Sequence, residues 1–204
     1  MTIFDVLAPS PCLSCNRLGS PFCLACKAGI PIAVREVQIG FSGWAVTEYA
    51  GTAANLVNEV KERGRTLLLN WMVEQLDDVE VPEGVTLVAV PSSKAAWRQR
   101  GFVPAEELAR RLARRRLAAY LPSVLSYSRA AADQVSLGRS ERRLNREGSM
   151  AAKPCNAKVL LVDDVVTSGA TLREAKRALE AAGAQVVGFV TFAQTVLENR
   201  AKRT

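Results

Sequence analysis

Four consecutive apolar residues, Val159, Leu160, Leu161 and Val162, run directly into two adjacent aspartates, Asp163 and Asp164. No other stretch restricts the fold of this chain so tightly. A short apolar run bounded by polar residues is the pattern of a strand buried on both faces, as in a parallel sheet covered by helices. A strand predicted over residues 158–162 therefore delivers both carboxylates to its carboxyl end, the edge where open α/β sheets bind ligands. Neighbouring carboxylates repel each other unless something cationic or hydrogen-bond-donating faces them. Sugar hydroxyls and a Mg²⁺ ion would both serve.

After Val165 and Val166 come Thr167, Ser168, Gly169, Ala170 and Thr171. They supply hydroxyls, a glycine that permits close backbone approach, and the start of a predicted helix over 171–182. A helix N-terminus carries partial positive charge and free N–H groups, which suit a phosphate monoester. Carboxylates for a ribose and amides for its 5-phosphate, a few residues apart, match one ligand shape. An apolar strand ending in two aspartates also occurs as the metal strand of nucleotide hydrolases, or as plain loop capping. The hydrolase version lacks its partner, because the chain has no G-x-x-x-x-G-K-[ST] loop.

The remaining pattern supports the same architecture. Residues 34–48 read as a hairpin, with Val37, Ile39 and Phe41 alternating with polar or small residues, Ser42-Gly43 turning, and Trp44-Ala45-Val46 returning. Helices are expected over 52–63, stopped by Gly64, and over 66–77. A buried strand over 85–90 ends at Pro91, and a helix over 104–118 starts at Pro104. Further strands are expected over 124–127 and 185–192, while 129–150 reads as a long basic loop. Strands alternating with helices give an α/β class with a mainly parallel sheet. A composition change near Gly29-Ile30-Pro31 separates residues 1–30 from a main domain over 31–204.

That first segment holds four of the five cysteines, as Cys12-x-x-Cys15 and Cys23-x-x-Cys26. Two such pairs form a closed tetrahedral thiolate set for Zn²⁺, with a structural role. Disulfides or redox pairs are the competing reading, which a reducing compartment disfavours. Cys155 reads as an ordinary residue near a strand. No apolar run nears the roughly 20 residues needed to span a bilayer. Residues 1–8 lack a basic region before Pro9 and Pro11, so neither membrane insertion nor a secretory signal is expected, and the location is read as cytoplasmic.

Between residues 94 and 147 there are 13 Lys or Arg against 5 Asp or Glu, so this stretch carries the chain's net charge of +7. An anionic ligand or partner is expected there. Arg110, Arg111 and Arg114 fall on the side of their helix away from Leu108 and Leu112. They form either a solvated face or a phosphate-backbone track for single-stranded DNA. Ser92, Ser93 and Lys94 follow the strand that ends at Val90, as a polar turn or an anion-contacting loop. The chain has no histidine, so any mechanism must run without the commonest general acid/base.

Residues Leu161 to Thr171 resemble the phosphoribosyl pyrophosphate motif of type I phosphoribosyltransferases. Together with the cysteines and the basic stretch, the whole chain resembles the ComF (GntX-like) family of bacterial competence proteins. The resemblance implies a type I phosphoribosyltransferase-like domain preceded by a four-cysteine zinc module, and ligand binding by phosphoribosyl pyrophosphate with Mg²⁺. It implies that Asp163 and Asp164 contact the ribose hydroxyls, and that Val165 and Thr167 to Thr171 surround the 5-phosphate. Ser92, Ser93 and Lys94 correspond by position to the pyrophosphate-contacting loop. Arg98-Gln99-Arg100-Gly101-Phe102 is similar to the family's R-x-R-G-F signature, but Val103-Pro104 stands where Asn-Gln usually follows. Arg129, Gln134, Leu137, Arg142 and Asn145 fall at the spacing of a loop that closes over the ligand, with Arg139 and Arg143 adding charge beside the leaving pyrophosphate. The resemblance also implies a part in DNA uptake, either as a transferase or as a non-catalytic sensor or single-stranded DNA binder. An uptake helicase or another competence protein is the implied protein partner.

Overall fold

A computed structural model describes residues 11–128 and 148–195. After a short helix α1 (Leu24–Ala28) come strands β1 (Arg35–Gln38) and β2 (Ser42–Glu48), then helices α2 (Gly51–Arg63) and α3 (Leu68–Glu74). Strand β3 (Thr86–Ala89) precedes α4 (Lys94–Arg100), α5 (Pro104–Arg116), β4 (Ala119–Tyr120) and β5 (Leu125–Tyr127). The described chain ends with β6 (Met150–Ala152), β7 (Lys158–Val166), α6 (Ala170–Ala181) and β8 (Gln185–Gln194).

Six strands form one sheet in the order β1-β2-β8-β7-β3-β4, and only the β1/β2 pair is antiparallel. Strands β5 and β6 pair apart from it. The apolar run of β7 is continuous because both its faces are covered. Leu160 and Val162 join a core with Leu56, Met72, Leu108 and Phe192, while Val159 and Leu161 face Leu172, Ala175, Leu179 and Phe189. From β7 the chain crosses through α6 to β8 on one side. From β3 it crosses through α4 and α5 to β4 on the other. Adjacent strands whose crossovers leave in opposite directions open a crevice between their carboxyl ends. That crevice positions the site.

Local chemistry accounts for the helices. Pro104 opens α5, Glu106 and Glu107 lie in its first turn and Arg114 to Arg116 in its last, matching the helix dipole at both ends. Gly64 closes α2 in the left-handed conformation, its N–H reaching the carbonyls of Glu59 and Val60. The Val103-Pro104 departure noted above thus starts a helix, with both residues buried.

The structure corrects three expectations. The hairpin turns at residues 39–41, not at Ser42-Gly43, which already pair in β2 with Gln38 and Val37. Gly43 is needed there because Phe189 of β8 lies across it, and a Cβ would stand 2.3 Å from the ring. Strand β7 does not stop at Val162 but continues to Val166, because β8 pairs with it through Val166 and Gln194. The helix expected over 66–77 is ordered as α-helix only over α3, and α4 was not foreseen. Among the described residues no helix is long and apolar enough to cross a membrane.

The cysteine segment packs on the main core. Cys12, Phe22 and Ile30 belong to the same buried cluster as Leu56 and Met72. Phe22 meets Trp71 edge-on at 5.2 Å between ring centroids, and Trp71 meets Phe192 at 5.9 Å.

Candidate functional site

Because β7 continues to Val166, the acidic pair sits on a hydrogen-bonded strand rather than a loose loop. Asp163, Asp164, Val165 and Thr167 line an open cavity of about 300 Å³, together with Ser92, Arg100, Tyr49 and Lys61. The Asp164 N–H donates to Asp163 Oδ1 at 2.9 Å. Burial, then the neighbouring Asp164 charge, pushes the Asp163 carboxyl up to about 8, although the Asp164 N–H and Lys61 act to lower it. Asp164 is only 10% exposed and stays compensated, because Lys61 Nζ stands 2.7 Å from its Oδ1.

Beyond Thr167 the chain turns sharply into α6. Gly169 takes φ 71°, which favours glycine, and its backbone presses against Ile39. Arg173, one turn into the helix, donates to the carbonyls of Ser168 at 3.0 Å and Ile39 at 3.2 Å, bracing the turn against the hairpin. The helix α6 therefore begins three residues after the cavity-lining Thr167, its Ala170 N–H turned back to Ser168 Oγ at 3.5 Å. The arrangement offers acceptors for hydroxyls or a hard cation on one wall and donors for an anion at its end.

Of the loop after β3, Ser92 lines the cavity, whereas Ser93 caps α4 by accepting from the Ala96 N–H at 3.2 Å. Lys94 opens that helix and is exposed, as is Arg98. Arg100 reaches the cavity and holds Glu62 of α2 at 3.0 Å. Gln134, Arg142 and Asn145, with Arg129, Leu137, Arg139 and Arg143, lie outside the described residues. Arg110 pairs with Glu107 on its own helix, and Arg111 with Glu107 and with Asn70 of α3. Arg114 is exposed. Farther along, Arg115 grips Asp77, and Arg116 Nη2 donates to the carbonyls of Leu76 and Val79 at 2.7 and 2.9 Å. Much of the basic run therefore serves to dock α5 on α3 and the turn after it.

Sequence reading missed Lys61, Tyr49 and Arg173. One signal was available for Lys61, which follows buried Val57 by four residues and so flanks the apolar stripe of α2. Tyr49, whose hydroxyl donates to Asn58 at 2.9 Å, carried none.

The four cysteines of the N-terminal segment converge, with all Sγ atoms within 4.8 Å of one another and Cys15 and Cys23 at 3.6 Å. Thiolates around a tetrahedral Zn²⁺ stand about 3.8 Å apart, so the donor set fits that ion. Burial works to raise the Cys12 thiol, but N–H groups of Cys23, Cys15 and Ser14 outweigh it and hold it down to about 6. Cys26 is pushed up to about 12. The Ser14 hydroxyl would lower it, but burial and the other three cysteines prevail. The set can hold zinc, and its place on the core suits a structural role.

The cavity's acidic strand, the turn over 167–169 and α6 fall within residues 96–204, which match the family model of the phosphoribosyl transferase domain. The chain belongs to that family. Ser92, Lys61, Tyr49 and the cysteine cluster lie outside the matched span. Among curated relatives, an adenine phosphoribosyltransferase of Polynucleobacter asymbioticus is 48% identical over 46 residues, 22% of this chain and 27% of the relative. An orotate phosphoribosyltransferase of Klebsiella pneumoniae is 39% identical over 53 residues, 26% of this chain and 25% of the relative. The chain thus spans about a quarter of the length of the curated relatives it matches. Among solved structures, the adenine phosphoribosyltransferase of Rhodothermus marinus is 19% identical at a TM-score of 0.41, covering 83% of this chain and 86% of that one. For a phosphoribosyl transferase domain, the α/β class with a mostly parallel sheet is the expected architecture, and the four-cysteine segment stands in front of it.

Proposed function

We propose that this chain binds phosphoribosyl pyrophosphate with Mg²⁺ in the cavity beside β7 and transfers its phosphoribosyl group to an acceptor. The observation that carries the reading is the meeting of Asp163, Asp164 and Thr167 with Ser92 and Arg100 around one cavity. Asp163 and Asp164 would receive the ribose hydroxyls, and the turn from Thr167 to Thr171 the 5-phosphate. Mg²⁺ would neutralise pyrophosphate charge, and the carboxylate donors of the cavity suit it together with ligand oxygens. Arg100 and Ser92 would face the departing pyrophosphate.

In the reaction, a nucleophile on the acceptor forms a bond to C1 of the sugar as the bond from C1 to the pyrophosphate oxygen breaks. The bonding electrons leave with the pyrophosphate, and a proton shed by the acceptor passes to a carboxylate or to water. With no histidine in the chain, rate enhancement rests on positioning and on charge fixed at the site. Zinc on the four cysteines would be structural.

A place in DNA uptake is supported by the sequence resemblance to the ComF family. In the rival reading the same cavity senses the ligand without turnover while the basic surface binds single-stranded DNA, and an uptake helicase is the partner. Calorimetric titration of the metal-loaded protein with phosphoribosyl pyrophosphate and Mg²⁺ tests the site. Saturable binding, weakened at least about tenfold in Asp163→Asn/Asp164→Asn, is expected. No binding by a folded wild type would sink the ligand reading, and salt-dependent DNA binding lost with Arg110, Arg111 and Arg114 would favour its rival.

A further inference from the structure

Resting on the ligand site proposed above, we infer that Lys61 distinguishes a sugar bearing a diphosphate from the bare sugar phosphate, exchanging Asp164 for the diphosphate when that group is present. Lys61 lies in the last turn of α2, whose end is anchored twice. Gly64 caps the helix, and Glu62 holds Arg100 of α4 at 3.0 Å. The backbone at Lys61 is therefore fixed, while its four-carbon stem can swing.

Its ammonium has three donors. One is spent on Asp164 Oδ1 at 2.7 Å, and the side chain remains 25% exposed on the cavity. Beside it, Arg100 Nε is buried without a hydrogen-bond partner among the described residues. Lys61, Arg100 and Ser92 thus bring donors to the same cavity that the acidic residues of β7 line. A sugar with its diol on the aspartates and its phosphate at Thr167 would leave C1 and its substituent to those donors.

The exchange follows from charge balance. Asp164 is nearly buried, so it gives up Lys61 only if the ligand supplies hydroxyl donors or a cation in its place. Lys61 in turn leaves a carboxylate only for a group of greater negative charge. Phosphoribosyl pyrophosphate meets both conditions at once. Ribose 5-phosphate offers the diol but nothing for Lys61, which then competes with the sugar for Asp164.

Isothermal titration of phosphoribosyl pyrophosphate and of ribose 5-phosphate, each with Mg²⁺, into the wild type, Lys61→Met and Lys61→Arg tests this. In Lys61→Met, phosphoribosyl pyrophosphate should weaken at least about tenfold while ribose 5-phosphate binds equally well or more tightly. Lys61→Arg, which keeps the charge, should restore most of the preference for the diphosphate. Equal loss for both ligands in Lys61→Met, or no loss for either, overturns the assignment of Lys61 while leaving the site itself in place. A wild type that binds neither ligand overturns the site reading and this inference with it.

Discussion

Gly169 and Ile39 touch through backbone and side chain so closely that a Cβ on the glycine would stand 2.7 Å from Ile39 Cβ. The turn before α6 is thereby pressed against the hairpin that starts the sheet, and Arg173 ties the same two segments by hydrogen bonds. Gly169→Ala meets both a left-handed backbone and this clash, and should cost roughly 2–4 kcal/mol in urea denaturation. Adding Ile39→Gly should remove the clash, Cβ included, but not the backbone strain, so Gly169→Ala should cost less in the Ile39→Gly background than in the wild type. An additive double variant would show that Ile39 does not confine the turn.

Burial and the Asp164 charge push the Asp163 carboxyl up to about 8 in the fold, whereas an exposed aspartate titrates near pH 4. Between those values the folded chain keeps a proton that the unfolded chain has released, so this group's contribution to stability falls as pH rises through the window. Asp163→Asn removes that dependence. Its stability relative to wild type should therefore grow between pH 5 and pH 8.5, by up to about 4 kcal/mol for the full shift and by less as far as solvent screens the half-buried group. Unfolding curves at the two pH values measure it, and a pH-independent difference would contradict the assignment. Binding of Mg²⁺ with the sugar diphosphate, which needs the carboxylate, should strengthen over the same range.

Phe22, between the two cysteine pairs, rests on Trp71 in the main core. A chelator strong enough to strip zinc from the metal-loaded protein should loosen that contact. Tryptophan emission should then move to longer wavelength and the Tm should fall, with the emission change much reduced in Trp71→Phe. The β7 cavity lies on other elements, so its ligand titration should persist. An unchanged emission would mean that the segment stays docked without metal.

Glu174 is buried on α6 and accepts from the Met150 N–H at 2.8 Å and from Arg177 Nε at 2.7 Å. Burial alone would raise its carboxyl, but Arg177 and the Met150 N–H hold it below the usual range. Stability from this group is present above the unfolded value near 4.5 and is lost as pH falls through the depressed folded value. Glu174→Ala should cost roughly 2 kcal/mol at pH 7, with a smaller cost in acid. Thermal melts of both proteins at pH 7 and pH 3.5 compare the two, and an equal cost at both would remove the ion pair from the account.

Local pattern made much of this protein legible. The run from Val159 to Asp164, the hydroxyl-rich turn at Gly169, the start of α5 at Pro104 and the doubled Cys-x-x-Cys each announce themselves within a dozen residues. Burial, turning and ligand chemistry are there properties of neighbours in the chain. The order of the sheet was not legible, nor was the extension of β7 to Val166, which depends on β8 lying alongside. The role of Gly43 waits on Phe189, and the purpose of Arg111 and Arg116 waits on α3 and the turn after it. Lys61 looked like one cation among many until the fold brought α2 over the acidic strand. Sequence by itself determined the α/β class, the acidic pair and the cysteine set, because these follow from short-range periodicity and residue chemistry. Only the tertiary structure decided which distant charges meet, because that depends on crossover direction and strand order, which no local periodicity encodes.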